Sequence, residues 1–306
     1  MTSRLPTYFV SHGGGPWPWM ADMREMLASL DTALADMPRQ IGRTPKAVLI
    51  ITAHWEERAF TLGSSPAPGM VYDYGGFPAH TYSVVYPAPG APELATRVQG
   101  LLQEAGLPVA LDSERGYDHG TFVPLAVMYP DAQVPVLQMS LRAGLDPAEH
   151  IALGRALAPL RDEGVLILGS GLSYHNLRLF GPGAKVPSAA FDAWLADTMA
   201  KTGKARTQAL LDWESAPYAR TCHAQEDHLV PLFAALGAWF GWEALVPIIL
   251  MSSVIGAIVG IGLKVFSSLR EGGYIPFGPF LVGAGLTAMI ASPKVMLDTV
   301  LRTFGL

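Results

Sequence analysis

Four β-rich runs constrain the fold of this chain more than any other sequence feature, and three of them are almost continuously apolar. They cover Thr7–Ser11, Ala47–Ala53, Val134–Leu141 and Val165–Gly169. Strands that are apolar on both faces are typical of parallel sheets covered on both sides. Two intervening segments space their apolar residues at helical intervals and fit the covering layers, namely Ala91–Ala105 and Pro147–Asp162. We therefore predict an α/β fold with a central, largely parallel sheet covered by helices.

The composition changes after Glu243. Residues 244–263 form a run of 20 without a charged side chain, and residues 272–293 form a second run of 22. Each run is long enough to cross a bilayer, and Gly256 and Gly260 have a spacing that lets two helices approach closely in lipid. A membrane hairpin over 244–293 is the direct interpretation, and a buried helical pair in a soluble core is the alternative. We predict an α/β domain at 1–239 and a hydrophobic helical tail at 240–306.

The charge balance and the cysteine count exclude several classes of protein. The 306 residues carry 21 basic and 26 acidic side chains, a formal charge of -5, which provides no basic surface for nucleic acid. Cys222 is the single cysteine, which excludes an intramolecular disulfide and a thiolate metal cluster. The first residues, MTSRLPTYFVSHGGG, lack the pattern of a secretory signal. We expect the α/β domain to be cytoplasmic.

Three histidines follow apolar, strand-like runs. They are His12 in TYFVSHGGG, His54 in VLIITAHWEE and His175 in VLILGSGLSYHNL. The carboxyl ends of parallel strands form the crevice where ligands bind, so these side chains are expected to converge. Gly13–Gly15 permit a tight turn and close approach of the backbone, without the spacing of a phosphate loop. For any one of the three, the alternative is a buried structural histidine.

A fourth candidate, His228, lies in CHAQEDHLVPLFAALGAW at the start of a predicted helix. Its neighbours His223, Glu226 and Asp227 either orient a metal ligand or are solvated groups at a helix start. For Asp227 we favour the solvated acid.

A fifth candidate, His119, lies in YDHGTFVPL beside Asp118, a carboxylate expected to tune or orient its ring. His119 is a candidate for proton transfer or substrate contact. His80 and His150 have no comparable setting, and we expect them to be surface or structural residues.

The histidine set by itself does not choose a metal, since imidazole suits zinc, iron, copper and nickel. On ferrous iron, three ligands leave positions for both oxygens of a catechol and for dioxygen, while a fourth histidine accepts and returns a proton. On zinc, a similar site would serve a hydrolase with water as its nucleophile. The residues alone leave both open.

Several longer stretches resemble a known family, the class III extradiol dioxygenases related to the β-subunit of protocatechuate 4,5-dioxygenase. Within it, the chain is similar to the 4,5-DOPA dioxygenase type. The matching stretches follow the family's order over residues 7 to about 239: SHGGGPW, TAHWEE, YDYGGFP, YPAPGAPELA, GYDHGTFVPLAVMYPDAQVPVLQMSL, GSGLSYHNL and HAQEDHLVPLFAALGAW.

The resemblance implies a role for each of the five histidines. His12, His54 and His228 would bind ferrous iron, with zinc as the alternative metal. His175 would be the catalytic acid/base or an additional ligand, and His119 would line the substrate pocket. Better-known relatives use a glutamate as third ligand, so the choice between His175 and His228 stays open. The implied reaction opens the ring of a catechol such as DOPA with both atoms of dioxygen.

Two further features come from the resemblance. Tyr72, Phe77 and Pro78 in YDYGGFP fall where the family forms part of its substrate pocket, and an aromatic core cluster is the alternative. The tail resembles the last two membrane helices of a type IV prepilin leader peptidase, without that enzyme's paired aspartates. We infer no proteolysis, and expect membrane contact through 244–293. A catalytically impaired, membrane-anchored fusion is the alternative to an active dioxygenase.

Overall fold

A six-stranded sheet crosses the part of the chain that the computed structural model describes, residues 4–239. Its strands are β1 (Thr7–Ser11), β2 (Ala47–Glu57), β3 (Phe60–Gly63), β4 (Val109–Asp112), β5 (Val136–Arg142) and β6 (Val165–Gly171). They lie in the order β1-β6-β2-β5-β3-β4. Every pairing is parallel except that of β3 with β5. The predicted α/β fold with a largely parallel sheet is confirmed.

Helices cover both faces of this sheet. Those described are α1 (Ala21–Met26), α2 (Ala28–Ile41), α3 (Pro92–Glu104), α4 (His119–Met128), α5 (Pro147–Leu157), α6 (Leu160–Glu163), α7 (Lys185–Ala200), α8 (Gly203–Leu211), α9 (Ala219–Cys222) and α10 (Val230–Trp239). Short 3₁₀ helices lie at Trp17–Trp19, Ala79–Ser83, Leu177–Leu179, Pro182–Ala184 and Trp213–Ser215.

Strand β2 separates two hydrophobic layers because successive side chains of a strand point to opposite faces. Leu49 and Ile51 face the layer that contains α3, α5 and α10. Val48 and Ile50 face the layer that contains α2 and α4. All four side chains are fully buried, which explains why this run is apolar without alternation.

The predicted elements differ from the structure in the extent of the sheet and in one helix. The short strands β3 and β4 were not predicted, and they extend the sheet beyond β5. The predicted helix Pro147–Asp162 is two helices, α5 and α6, separated at Ala158 and Pro159. Pro159 has no backbone N–H to donate, and it lies at this break.

Glycines let α10 lie directly against strand β6 and helix α5. A Cβ atom at Gly171 would lie 2.1 Å from the carbonyl oxygen of His228, and one at Gly169 would lie 2.2 Å from that of Pro231. On the other side of α10, a Cβ atom at Gly154 would lie 2.0 Å from the carbonyl oxygen of Ala234. No larger residue fits any of the three positions. Gly169 and Gly171 set the distance between His228 and the sheet, and Gly154 sets the distance between α10 and α5.

The predicted helical tail at 240–306, including the membrane hairpin, lies outside the described residues. Within residues 4–239, no helix combines the length and the apolar character needed to cross a membrane. Residues Leu5–Trp239 form one compact unit.

His150 is a structural residue, in line with its expected role. It is fully buried at the start of α5, where Nδ1 contacts the carbonyl oxygen of Asp146 at 2.7 Å and Nε2 contacts the backbone nitrogen of Arg142 at 3.2 Å. The Arg142 nitrogen can only donate, so Nε2 is an acceptor and the ring is neutral. Burial, the largest cause, lowers the pKa of His150 to about 4.

This lowered pKa predicts a pH-dependent stability. The unfolded chain binds a proton near the ordinary pKa of about 6.5 and the folded chain only near the lowered one, so His150 stabilises the fold above about pH 6.5 and loses this effect on acidification. We expect His150→Gln to reduce the loss of unfolding free energy between about pH 7 and pH 4 by about 3 kcal/mol. Chemical denaturation at both pH values measures this, with exposed His80→Gln as the control. Equal losses in wild type and His150→Gln would contradict the assignment.

Candidate active site

The strands β1 and β2 bring His12 and His54 to the same end of the sheet. His12 follows β1 directly, and His54 lies near the end of β2, where the register with β5 shifts. Strand β6 lies between β1 and β2, and its Ser170 is adjacent to His12. The expected convergence of these strand ends is therefore present.

The tautomer of His12 follows from its hydrogen bonds. Its ring is buried, and Nδ1 lies 3.1 Å from the hydroxyl oxygen of Ser170. Ser170 has one hydroxyl proton, which it donates to the carbonyl oxygen of Gly120. The hydroxyl therefore accepts the bond from His12, so Nδ1 carries the proton and Nε2 carries a lone pair.

The backbone turn that follows His12 requires glycine at two of its positions. Gly13 has a φ of 73° and Gly15 has a φ of 55°, in the left-handed region that glycine adopts readily. A Cβ atom at Gly13 would lie 2.5 Å from the indole nitrogen of Trp17. That indole nitrogen donates to the carbonyl oxygen of His12 at 2.8 Å, which holds the turn in place.

Asp227 orients His228, so the expectation that it is a solvated acid is wrong. Its carboxylate lies 2.8 Å from His228 Nδ1, and His228 is almost fully buried just before α10. A carboxylate can only accept here, so Nδ1 carries the proton and Nε2 carries a lone pair. Glu226, by contrast, pairs with Arg220.

The Nε2 atom of His54 lies close to the Nε2 atoms of two other histidines. His54 Nε2 lies 3.1 Å from His12 Nε2 and 3.2 Å from His228 Nε2. Two nitrogens bound to one ion at about 2.1 Å lie about 3.0 to 3.4 Å apart for angles between about 90° and 110°. The lone pairs of His12 and His228 point inward with no proton assigned to them, which suits an electron-pair acceptor. These residues fit a divalent metal.

Side-chain atoms that could bind a metal also lie close together in two other sets of residues. Within the described residues, the two sets whose atoms lie within 4.8 Å of one another are His12, His54 and His119, and His175, Asp227 and His228. The Nε2 contacts join members of both sets. The Nε2 contacts at 3.1 and 3.2 Å are short enough for nitrogens that share one ion, which favours His12, His54 and His228 as the ligand set.

Burial disfavours the charged form of two of these imidazoles, His12 and His54. Burial and the nearby rings of His54 and His119 lower the pKa of His12 well below its ordinary value. Burial and the rings of His119 and His228 lower the pKa of His54 to about 2. A neutral imidazole is the form that binds a metal. At neutral pH, His12 and His54 therefore each have a ring nitrogen with a lone pair that can bind one.

His119 lies beside these rings but is oriented by Asp73, not by Asp118. Its ring centroid is 3.9 Å from that of His54, and its Nδ1 lies 2.7 Å from the Asp73 carboxylate. Asp118 instead caps α4 by accepting from the backbone nitrogen of Thr121, and it accepts the hydroxyl proton of Thr52. The expectation that Asp118 orients His119 is wrong, because its side chain turns back into the helix start.

His175 stacks on His228 from outside the strand ends. The ring centroids are 3.4 Å apart at an angle of 19°. Burial and the ring of His228 lower the pKa of His175 to about 4, so the ring is a neutral base at neutral pH. The buried His223 holds the loop that carries His175, because its Nε2 lies 3.1 Å from the carbonyl oxygen of Ser173.

The aromatic segment YDYGGFP borders the site. A Cβ atom at Gly15 would lie 2.6 Å from the ring of Phe77, and the Tyr74 ring lies 5.7 Å from that of His119. Tyr72 donates its hydroxyl proton to the carbonyl oxygen of Val84 and belongs to the aromatic cluster. Sequence reasoning named Tyr72, Phe77 and Pro78 here but missed Asp73, which has no distinctive local signal.

Known proteins resemble this chain over most of its length. Residues 7–260 match the family described as the catalytic LigB subunit of aromatic ring-opening dioxygenase. The 4,5-DOPA dioxygenase extradiol of Beta vulgaris is 41% identical over 239 residues, which cover 76% of this chain and 86% of that protein. A crystal structure of an uncharacterized protein from Escherichia coli K12 has a TM-score of 0.63 and 30% identity, covering 78% of this chain and 90% of that one.

The tail has a separate match. A stretch of 59 residues is 51% identical to the prepilin leader peptidase/N-methyltransferase of Aeromonas salmonicida, and covers 19% of this chain and 20% of that protein. The resemblance noted for the tail is thus found again. The family match covers most of the chain and favours ring opening over hydrolysis. The chain belongs to the LigB family of aromatic ring-opening dioxygenases, and it is a metal-dependent extradiol ring-cleaving enzyme.

Proposed function

We propose that this enzyme opens the ring of a catechol such as DOPA with dioxygen, at a metal held by His12, His54 and His228. The observation that carries the proposal is the meeting of three Nε2 atoms at 3.1 and 3.2 Å. The relative from Beta vulgaris, named a 4,5-DOPA dioxygenase, supports the substrate class. The aromatic cluster beside His119 offers ring surfaces against which a flat substrate packs.

Ferrous iron is the metal we propose, and zinc is the alternative that the same imidazoles bind. Iron would supply the one-electron chemistry that the reaction of dioxygen with an aromatic ring needs. The protein supplies neutral ligands whose Nδ1 protons are held outside the centre by Ser170 and Asp227. These contacts keep the Nε2 lone pairs aimed inward.

His175 is the acid/base in this proposal. Its ring stacks on His228 and is half-buried, so it borders the metal ligands without an Nε2 contact to His54 like that of His228. A pKa lowered to about 4 leaves the ring unprotonated and able to accept a proton from a catechol hydroxyl. His119, whose ring lies beside that of His54, lines the substrate pocket in this proposal.

The catalytic domain in this proposal comprises residues 1–239, and 240–306 form a separate tail that contacts a membrane through 244–293. The compact unit Leu5–Trp239 contains every site residue named above, which supports the boundary. The two uncharged runs support the membrane contact. The catalytic domain belongs to the cytoplasm in this proposal.

The first prediction from the proposed function concerns the reaction itself. With ferrous iron and air, we expect the full chain to consume one dioxygen for each catechol and to form a yellow, ring-opened semialdehyde. An oxygen electrode and absorbance spectra measure both. Phenols with one hydroxyl serve as controls, because they cannot present two adjacent oxygens. Absence of oxygen uptake with every catechol tested would overturn the proposal, and turnover under nitrogen with zinc would indicate a hydrolase instead.

A second prediction separates the roles of His175 and His228. We expect His228→Ala to lose most of its iron and zinc affinity, because it removes an inward Nε2 lone pair. We expect His175→Ala to keep its metal and lose turnover by about 10²- to 10⁴-fold, the range for general acid–base catalysis. Measuring the metal content and the kcat of each variant tests these two assignments. Retained metal in His228→Ala together with lost metal in His175→Ala would reverse the two assignments.

A third prediction uses the close contact between β6 and His228. Gly171→Ala places a methyl group against the His228 carbonyl oxygen, and the shift should weaken zinc binding by about 10- to 100-fold, as changes outside the ligand shell do. Gly154→Ala is the matched control, because it overpacks the same helix away from the site and should lower unfolding free energy by about 1–3 kcal/mol without weakening zinc. Equal zinc affinities of Gly171→Ala and wild type would contradict the prediction.

A further inference from the structure

Asp73 lies between two of the site histidines, in the loop that follows β3. One carboxylate oxygen, Oδ1, accepts from both the ring Nδ1 of His119 at 2.7 Å and its backbone nitrogen at 3.1 Å. The other, Oδ2, lies 3.4 Å from Nδ1 of His54. The side chain is 18% exposed, so little water competes for these contacts. A single carboxylate thus faces imidazoles from strand β2 and from helix α4.

We propose that Asp73 is a positioning residue that sets the tautomer of His54 and His119 together. A carboxylate has acceptors only and a negative charge, so it favours a proton on each Nδ1 that faces it, by a hydrogen bond for His119 and by charge at 3.4 Å for His54. Both rings then present an Nε2 lone pair on the side away from Asp73. For His54, this is the nitrogen that lies between those of His12 and His228. The inference rests on the proposed metal site and adds to it the residue that prepares His54.

The start of α4 holds the carboxylate in place. His119 is the first residue of this helix, and its backbone nitrogen is one of the donors that a helix leaves unpaired at its start. Such a terminus favours a negative charge. Two donors on Oδ1 fix the orientation of the carboxyl plane, so Oδ2 points to His54 and not to solvent.

The other carboxylate near these rings has different partners. Asp118, the neighbour of His119 in sequence, is occupied by Thr52 and by the cap of α4. Asp73 is therefore the carboxylate that both rings face.

Replacement of Asp73 by asparagine should preserve the contact with His119 and change the contact with His54. The backbone nitrogen of His119 still requires an acceptor, so the amide oxygen stays with His119 and the amide nitrogen faces His54. Two donors would then oppose each other, and His54 relieves this by moving its proton from Nδ1 to Nε2. A protonated Nε2 cannot bind a metal, so the change removes one ligand without altering the size of residue 73.

The experiment compares zinc affinity and histidine tautomers in the full chain. We expect Asp73→Asn to bind zinc about 10- to 100-fold more weakly than wild type, as expected when an outer partner of a ligand is lost. Competition with a chromophoric chelator measures this affinity. ¹⁵N NMR of the metal-free chain should show the His54 proton on Nδ1 in wild type and on Nε2 in Asp73→Asn, a change that a merely structural role would not produce.

Two further variants make the test specific. Asp118→Asn removes a buried carboxylate nearby and keeps a residue that caps helices well, so its zinc affinity should stay within about threefold of wild type. Asp73→Glu keeps both acceptors and should keep the Nδ1 proton on His54. An Nε2 proton there would overturn the inference, as would an equal loss of zinc affinity in Asp118→Asn and Asp73→Asn.

The remaining outcomes separate the inference from the proposed site. Wild-type zinc affinity in Asp73→Asn, with an unchanged His54 tautomer, would overturn the role of Asp73 and leave the metal site standing. A wild-type chain that binds no zinc or iron would overturn the metal site itself, and the inference with it.

Discussion

The contact between helix α10 and strand β6 is the constraint on which the rest of the site depends. Backbone atoms of His228 and Pro231 lie where side chains of residues 171 and 169 would otherwise stand. The backbone nitrogen of Leu172 also donates to the His228 carbonyl oxygen at 2.9 Å. His228 is therefore positioned by backbone contact, which varies less than contact between side chains. Its Nε2 atom reaches His54 because the helix lies this close to the sheet.

Hydrogen bonds around the three rings determine what the converging nitrogens can do. Ser170, Asp73 and Asp227 each face an Nδ1 atom from outside the centre. Without these partners, neighbouring imidazoles would share protons between Nε2 atoms and form a small hydrogen-bonded cluster. Burial and the proximity of several rings disfavour any additional proton, as the pKa of about 2 for His54 indicates. The result is a set of imidazole nitrogens whose lone pairs point inward, which is what a divalent ion requires.

Sequence patterns predict the parts of this site that depend on regular structure. β1, β2, β5 and β6 could be predicted because long apolar runs identify buried strands, and His12 and His54 follow from where those runs end. β3 and β4 have four residues each, too few for a pattern to stand out. Asp73 lies 46 residues from His119 in the chain, and only the folded loop brings them together. Asp118 illustrates the reverse, since adjacency to His119 did not produce a contact with its ring.

The two faces of the sheet contribute different groups to the site. His12 and His54 belong to strand ends and are held by the sheet itself. His119 comes from α4, which packs in one hydrophobic layer, and His228 precedes α10, which packs in the other. The groups around the strand ends are therefore held by different packing layers, and His54 of the central strand β2 contacts both His119 and His228. The aromatic loop that carries Tyr72 and Tyr74 packs in the layer of His119.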